Sequence, residues 1–242
     1  MSGLTGHPIT NDMKKLVVLS GAGVSAESGI RTFRDSDGLW ENYNVADVAD
    51  IEGWYRNPSL VLQFYNERRR QLEKVQPNRA HQIIAELEKY FAVTVVTQNV
   101  DNLHERAGST KIIHLHGELT KVRPADCESG GVVDIGYRDV NPADCDRRGV
   151  QLRPHIVWFG EAVPMMTPAA REVSEADILL IIGTSLNVYP AAGLFRYVQD
   201  GTPIFLIDPK PIRLDYGKFT QIQEPATAGM EKLKQILLDE YL

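Results

Sequence analysis

Cysteine is scarce in this chain, with only Cys127 and Cys145 among its 242 residues. Two cysteines cannot build a disulfide framework, so we expect a protein of a reducing compartment. Long apolar runs are also missing: no stretch reaches the roughly 18 consecutive apolar residues that a membrane-spanning helix needs. The polar beginning MSGLTGHPITND lacks the apolar segment of a secretory signal. We therefore expect a cytoplasmic protein without a membrane partner.

An excess of basic residues is lacking as well. The chain has 26 lysines and arginines against 32 aspartates and glutamates, a formal net charge of -6. A protein with a net negative charge is not expected to bind the phosphates of nucleic acids non-specifically. We expect no nucleic-acid partner.

What the chain does contain is an alternation of buried strands and helices. Hydrophobic residues make up 43% of the sequence, enough for a sizeable core. Helices are predicted to begin at Asn57-Pro58 and at Asn78, which are N-cap signals. Short apolar runs predict strands at residues 14–20, 92–97, 112–115, 178–182 and 204–207. The pattern predicts an α/β fold with a Rossmann-like doubly wound parallel sheet, in which ligands bind beyond the carboxyl ends of the strands.

Residues 121–153 interrupt this alternation. The segment is polar and turn-rich, and the tetrapeptide PADC occurs in it twice, at 124–127 and 142–145. We interpret it as a small inserted module with paired knuckles rather than as a repeat architecture.

A glycine-rich turn follows the first predicted strand. Gly21, Ala22, Gly23 and Ala26 fit the G-x-G-x-x-G/A pattern, in which small residues allow backbone N–H groups to approach a pyrophosphate. Taken alone the pattern also fits a plain tight turn, a dehydrogenase or a methyltransferase. The loop at 30–40 that comes next carries cationic and aromatic residues that could fold over a phosphate and a ring.

Polar side chains also follow two of the predicted strands. Gln98, Asn99 and Asp101 come after the run at 92–97, and His116 comes after the run at 112–115. A single histidine at a strand end is more often a structural residue. Because two polar clusters converge at the same sheet edge, we interpret His116 as a catalytic candidate.

Five segments occur in a fixed order along the chain: GAGVSAESGIRTFR, TQNVDNLHERAG, HLHGEL, PHIVWFGE and GTSLNVYPAAG. In this order they resemble the motifs of the sirtuin protein deacylases, over nearly the whole chain. The resemblance implies a Rossmann-like NAD-binding domain of residues 1–39, 79–120 and 154–242. It also implies a small domain of residues 40–78 and 121–153, made of helices and a zinc-ribbon-like module. A cleft between the two would hold NAD and an acyl-lysine peptide.

The resemblance also implies a reaction and its residues. Sirtuins remove acyl groups from lysine with NAD as co-substrate, and release nicotinamide, O-acyl-ADP-ribose and free lysine. His116 would be the general base, and Asn99 and Asp101 would be catalytic. The residues implied to contact NAD are Gly21, Ala22, Gly23, Ala26, Glu27, Ile30, Thr32, Phe33, Arg34, Trp40, Gln98, Asn99, Val100, Asp101, His116, Gly183, Thr184, Ser185, Val188, Asp208, Pro209 and Ala228. The residues implied to contact the substrate are Tyr65, Arg68, Val157, Phe159, Gly160, Glu161, Val188, Tyr189 and Pro190, with the peptide bound as an added strand. We expect the enzyme to be a monomer.

Tyr65 and Arg68 indicate which acyl group is removed. Their i, i+3 spacing places them on one face of a predicted helix. In the desuccinylase and demalonylase branch of sirtuins, class III, a tyrosine and an arginine at this spacing bind the carboxylate of the acyl group. The alternative is that Arg68 belongs, with Arg69 and Arg70, to a solvated helix face.

The knuckles depart from the family pattern. Sirtuins hold zinc with two C-x-x-C knuckles, but Pro124 and Pro142 replace one cysteine of each. Cys127 and Cys145 remain, with Asp126 and Asp144 as other candidate ligands, and we expect no zinc. Oxidation could instead join the two cysteines. Two rival functions stay open: a mono-ADP-ribosyltransferase or NAD hydrolase that uses the same cleft, and a non-catalytic NAD-binding module.

Overall fold

A parallel six-stranded sheet forms the centre of the protein in a computed structural model that describes residues 13–31, 39–40, 43–126, 131–212 and 217–242. The strands of the described chain are β1 (Lys15–Ser20), β2 (Leu39–Trp40), β3 (Tyr43–Asn44), β4 (Ala92–Thr97), β5 (Ile112–His114), β6 (Gly117–Pro124), β7 (Val133–Asp134), β8 (Leu152–Ile156), β9 (Ile178–Ile182), β10 (Ile204–Ile207) and β11 (Thr220–Ile222). The sheet has the order β11-β10-β9-β1-β4-β5. The predicted fold class is confirmed.

Helices cover both faces of this sheet. They are α1 (Val45–Val48), α2 (Ile51–Arg56), α3 (Pro58–Lys74), α4 (Arg79–Glu86), α5 (Leu103–Ala107), α6 (Met166–Ser174) and α7 (Ala226–Glu240), and 3₁₀ turns occur at Ala22–Ser28, Leu87–Lys89 and Ala191–Tyr197. Alternate residues of β1 enter opposite layers: Leu16 and Val18 pack in one buried cluster, and Val17 and Leu19 in another. Burial on both faces explains the uninterrupted apolar runs of these strands.

The helix starts were predicted correctly. The Asn57 side chain accepts a hydrogen bond from the Leu60 N–H at 3.1 Å, and Pro58 occupies the first turn of α3. Asn78 caps α4 through the N–H of Ala80 at 2.9 Å. Both caps satisfy amides that the first turn leaves without a partner.

The segment after the glycine turn differs from a regular helix. Residues Ala22–Ser28 form a 3₁₀ helix that ends at Gly29, with φ of 91°. The Val24 N–H bonds to the Gly21 carbonyl at 3.0 Å, and the Val24 carbonyl accepts from the Asn78 side chain at 2.8 Å. The Val24 carbonyl thus connects this turn to the N-terminus of α4.

A second, three-stranded sheet with the order β7-β6-β8 lies apart from the first. A third buried cluster joins it to α2 and α3 and includes Trp54, Phe64, Leu119 and Trp158. The predicted domain border at residue 121 falls within β6, and the one at residue 153 falls within β8. The domain borders therefore stay a prediction. Within the described ranges, no helix combines the length and apolar character needed to span a bilayer.

Candidate active site

A cleft of roughly 300 Å³ opens at the carboxyl ends of β1, β4 and β9. These strands are neighbours. From β1 the sheet grows through β4 and β5 on one side and through β9, β10 and β11 on the other, so the cleft lies at the switch point where doubly wound sheets bind ligands. The sequence-predicted residues that line it are Gly21, Ala22, Gly23, Ile30, Gln98, Asn99, Val100, Asp101, His116, Val157, Phe159, Gly160, Glu161, Gly183, Thr184, Ser185, Val188, Tyr189 and Pro190.

Sequence reasoning missed several residues of the wall. They are Ser25, Arg31, Ala49, Ile156, Trp158 and Val163. Ser25 and Trp158 lie inside motifs that were recognised, so their positions could have been included. Ala49 is brought to the cleft by a long-range backbone bond, in which the Phe159 N–H donates to the Ala49 carbonyl at 2.9 Å. Such a contact leaves no local signal in the sequence.

The remaining predicted residues fall into two groups. Thr32, Phe33, Arg34 and Cys127 lie outside the described residues, as does the side chain of Trp40. Tyr65, Arg68, Ala26, Glu27, Asp208, Pro209 and Ala228 are described but stand away from the wall.

Glu27 has another partner. Its carboxylate accepts hydrogen bonds from the N–H and hydroxyl of Thr227 at 2.9 and 2.7 Å. Thr227 lies in the first turn of α7, where amides lack intrahelical partners, so Glu27 caps this helix rather than facing the cleft. Ala26, one residue before it, is exposed.

Asp208 and Pro209 follow β10, one strand further from the centre than β9. Asp208 is 1% exposed, and its Oδ1 accepts the Lys210 N–H at 3.0 Å. Ala228 is exposed in the first turn of α7. These residues lie along the same sheet edge as the cleft but outside its wall.

The two glycine turns of the cleft pack backbone against backbone. The Gly23 N–H donates to the Gly183 carbonyl at 2.8 Å. A Cβ at Gly23 would lie 2.7 Å from the Gly183 Cα, and a Cβ at Gly183, with φ of 63°, would lie 2.2 Å from the Val24 nitrogen. Glycine is therefore required at both positions by close packing. The turns, with the carboxamides and hydroxyls beside them, form a donor set that fits a dinucleotide.

His116 is held in one tautomer. Its Nδ1 lies 3.0 Å from the Gln98 carbonyl, which can only accept, so Nδ1 carries the proton. Burial lowers the pKa of His116, against a smaller opposing effect of this hydrogen bond. The ring is thus neutral at pH 7, with an unprotonated Nε2 available for proton transfer.

Asn99, Ser25 and Asp101 form a buried hydrogen-bond chain. The Asn99 Nδ2 donates to the Ser25 hydroxyl at 3.1 Å, and this hydroxyl donates to the Asp101 Oδ2 at 3.0 Å. The Leu103 N–H donates to the other carboxylate oxygen at 3.0 Å. Burial raises the pKa of Asp101 although both hydrogen bonds oppose it. The chain fixes the direction in which the Asn99 amide faces.

The segment 157–161 already uses most of its backbone donors. The Val157 N–H donates to the His116 carbonyl, and the Phe159 N–H donates to the Ala49 carbonyl. The Trp158 N–H donates to the Glu161 carboxylate, and the Glu161 N–H donates to the Trp158 carbonyl. Glu161 also pairs with Arg153 at 2.7 Å and with Arg123 at 3.2 Å. Its carboxylate therefore anchors this wall, and Glu161 also lines the cleft, so its role as a substrate contact stays a prediction.

Tyr65 and Arg68 lie behind the cleft on α3. Tyr65 is fully buried, and its hydroxyl accepts the Trp158 Nε1–H at 2.9 Å, so it touches the wall through Trp158. The Arg68 side chain is only 14% exposed, with Glu67 at 3.8 Å. Its Nε and Nη1 are buried and have no hydrogen-bond partner among the described residues.

The three arginines of this helix differ, which excludes a uniformly solvated face. Arg69 is completely buried and donates to the Leu119 carbonyl at 2.7 Å. Arg70 is 54% exposed and lies 3.5 Å from Asp139. Arg69 has one buried nitrogen without a hydrogen-bond partner among the described residues, Nη2, whereas Arg68 has two, Nε and Nη1.

The described carboxylates of the knuckles already have other partners. Asp126 pairs with Arg148 through both oxygens, at 2.9 and 3.0 Å, and the Asp144 carboxylate accepts the Asn141 N–H at 2.7 Å. Cys145 is exposed and free. A tetrahedral site needs four converging ligands, and these oxygens are already engaged.

One other group within the described ranges has metal-ligand spacing, namely Glu105, His114 and Glu118. Glu105 is paired with His114 at 2.6 Å and Glu118 with Lys121 at 2.7 Å, so ordinary ion pairs account for it.

Comparisons with known proteins agree with this geometry. A family model described as the Sir2 family matches residues 21–190. An NAD-dependent protein deacylase of Bacteroides thetaiotaomicron is 55% identical over 235 residues, covering 93% of this chain and 99% of the relative. One of Helicobacter pylori is 51% identical, covering 94% and 99%. A crystal structure of a Sir2 homologue with NAD has a TM-score of 0.84 at 40% identity, covering 94% of this chain and 91% of that one. A Sir2 protein bound to an acetylated peptide has a TM-score of 0.76 at 28% identity, covering 95% and 94%.

Proposed function

The chain belongs to the Sir2 family, and from that premise we propose that it removes acyl groups with a terminal carboxylate, together with acetyl groups, from protein lysines. It is an NAD-dependent protein-lysine deacylase, with NAD as co-substrate. The acyl preference, the roles of single residues and the way the peptide binds are the parts that we infer.

The protonation state of His116 is the observation that best supports the proposed reaction. Its Nδ1–H is bonded to the Gln98 carbonyl at 3.0 Å, which leaves Nε2 as the basic nitrogen in a cleft residue. We assign His116 as the general base that accepts a ribose hydroxyl proton, a contribution of roughly 10²–10⁴-fold. Bound NAD supplies the reactive ribose and the nicotinamide leaving group.

Asn99 and Asp101 are assigned to the nicotinamide end of the cleft. Ser25 links the Asn99 amide to the Asp101 carboxylate by bonds of 3.1 and 3.0 Å. A fixed carboxamide can both donate to and accept from the carboxamide of nicotinamide. Asn99 would therefore orient the leaving group, and Asp101 would fix Asn99.

The acyl preference rests on Arg68. Two of its nitrogens are buried without a hydrogen-bond partner among the described residues. Buried N–H groups without acceptors are costly, whereas a carboxylate can bind them by a fork of charge-assisted bonds. Tyr65, one helical turn away, contacts Trp158 of the wall. We infer that succinyl, malonyl or glutaryl carboxylates compensate Arg68.

The peptide is proposed to bind as an added strand between 157–161 and 188–190. Four N–H groups of the first segment already donate within the chain, and the carbonyls of Trp158 and Phe159 accept from Glu161 and Ile51. The carbonyls of Val157, Gly160 and Glu161 are therefore the ones proposed to pair with the peptide. Such pairing recognises the backbone of the peptide more than its side chains. The preference among peptide sequences should therefore be broad.

We also propose that the enzyme works as a monomer and without structural zinc. The support for the second point is that Asp126 and Asp144 are engaged by Arg148 and Asn141. Arg148 also pairs with Asp146 at 2.8 Å, and so connects the two knuckles by ion pairs.

The test is a product balance. Purified protein is incubated with NAD and an acyl-lysine peptide, and nicotinamide, deacylated peptide and O-acyl-ADP-ribose are quantified by mass spectrometry. We expect the three in equal amounts, and none in the absence of peptide. Nicotinamide released without peptide would support an NAD hydrolase or ADP-ribosyltransferase, and no release at all would support a binding module.

A further inference from the structure

The backbone N–H and carbonyl of Asn99 are connected to two histidines that are not among the cleft residues, His104 through two hydroxyls and His114 directly. On the N–H side, the Asn99 amide donates to the Thr97 hydroxyl oxygen at 3.0 Å. Thr97 Oγ1 also accepts the Ser20 hydroxyl at 2.9 Å, and Ser20 Oγ lies 3.0 Å from the His104 Nε2. His104 thus begins a chain of three buried bonds that ends at Asn99.

The direction of this chain fixes the protonation of His104. Since the Ser20 proton is used on Thr97, Ser20 can only accept from His104, and Nε2 must carry the proton. His104 is 1% exposed, and burial lowers its pKa well below the ordinary value, so the ring is neutral. Its Nδ1 has no hydrogen-bond partner within the described ranges. A leucine would pack there at less cost in desolvation, which indicates that the Nε2 donor is what the site requires.

On the carbonyl side, the His114 Nδ1–H donates to the Asn99 oxygen at 3.2 Å. The other ring nitrogen donates to the Glu105 carboxylate at 2.6 Å. Burial alone would lower the pKa of His114, but the bond to Glu105 and its charge raise it overall. Both nitrogens therefore carry protons, and the bond to Asn99 is charge-assisted.

We propose that His104 and His114 are positioning residues that hold the backbone of Asn99 on either side of its Cα and so set how strongly the cleft binds nicotinamide. The inference rests on the proposed role of Asn99 at the nicotinamide end. The side-chain amide of Asn99 donates a separate hydrogen bond to the Ser25 hydroxyl. The histidines therefore fix the Asn99 backbone, while Ser25 fixes its side chain.

Matched variants separate positioning from simple packing. His104→Gln keeps an N–H donor near the Nε2 position, whereas His104→Leu keeps only the volume. His114→Asn keeps a donor near Nδ1, whereas His114→Leu removes it. His155→Leu is the control, because this partly buried histidine lies on β8 and has no bond to Asn99.

The first readout is steady-state kinetics. Loss of one buried hydrogen bond should raise the nicotinamide inhibition constant and the KM for NAD by about fivefold to tenfold in each leucine variant. The KM for the acyl peptide should not change, and the glutamine and asparagine variants should stay within about threefold of the wild type. Equal losses in the leucine and amide variants, or a rise in the peptide KM alone, would overturn the proposal.

The second readout does not depend on catalysis. Amide hydrogen exchange of Asn99, followed by NMR, should accelerate by about tenfold in His104→Leu and remain slow in His104→Gln and His155→Leu. Unchanged exchange in His104→Leu would refute positioning even if the enzyme is active. Accelerated exchange in a protein that releases no nicotinamide would instead refute the proposed function and leave the positioning intact.

Discussion

Replacing Arg68 by methionine should change the substrate preference of the enzyme without weakening its fold. The structure makes this single change a sharper test than a change that includes Tyr65. The Tyr65 hydroxyl bonds to Trp158 at 2.9 Å, so removing it would disturb the cleft for every substrate. Arg68 has no hydrogen bond from its Nε or Nη1 to lose among the described residues.

The magnitude follows from the bonds that a substrate carboxylate would make. A charge-assisted hydrogen bond contributes about 1.5–3 kcal/mol. Its loss should lower kcat/KM for a succinyl-lysine peptide by about tenfold to 150-fold. Acetyl-lysine has no carboxylate, so its kcat/KM should change by less than about threefold. The melting temperature should stay within about 2 °C, because the Nε and Nη1 of the removed guanidinium have no hydrogen-bond partner among the described residues and its Glu67 contact is long, at 3.8 Å.

The assay compares succinyl and acetyl peptides of one sequence, each at saturating NAD. Arg70→Met is the matched control, because Arg70 lies two residues along the same helix but is 54% exposed. It should leave the succinyl-to-acetyl ratio unchanged. An equal loss on both peptides in Arg68→Met, or an equal shift in Arg70→Met, would refute the reasoning.

Further predictions concern other parts of the molecule. His116 must be neutral to act as a base and burial lowers its pKa, so kcat/KM should fall only below pH 6.5; a pH profile that falls from pH 7.5 to 6.5 would contradict this. Glu27→Ala should remove the cap of α7 and lower the free energy of unfolding by about 1 kcal/mol, measured by urea titration, with KM for NAD unchanged. Dialysis against EDTA should alter neither the melting temperature nor the activity; a loss of either that added zinc restores would contradict zinc independence.

The sequence predicts the central sheet closely because its signals are local. Residues 92–97, 178–182 and 204–207 are apolar runs, and they form β4, β9 and β10 with these bounds. The edge strand β11, with the sequence TQI, has no such run and was not predicted. An edge strand needs little apolar character, since it is buried less than a central one.

The cleft was predicted where its residues follow strands, and less well where distant contacts build it. Gln98, Asn99 and Gly183 come directly after β4 and β9, so the topology brings them together. The bond of Glu27 to Thr227 could not be predicted, because the two residues are 200 positions apart. Interactions of this separation leave no pattern in a single sequence.

The central claim is tested most directly by His116→Asn, which removes the base and leaves a residue of similar size. The variant and the wild type receive NAD, an acyl peptide and labelled nicotinamide. Because the base acts after nicotinamide departs, we expect the variant to exchange label into NAD only when peptide is present, while release of deacylated lysine falls by about 10²-fold or more. Deacylation at the wild-type rate in the variant, or exchange without peptide, would contradict the account.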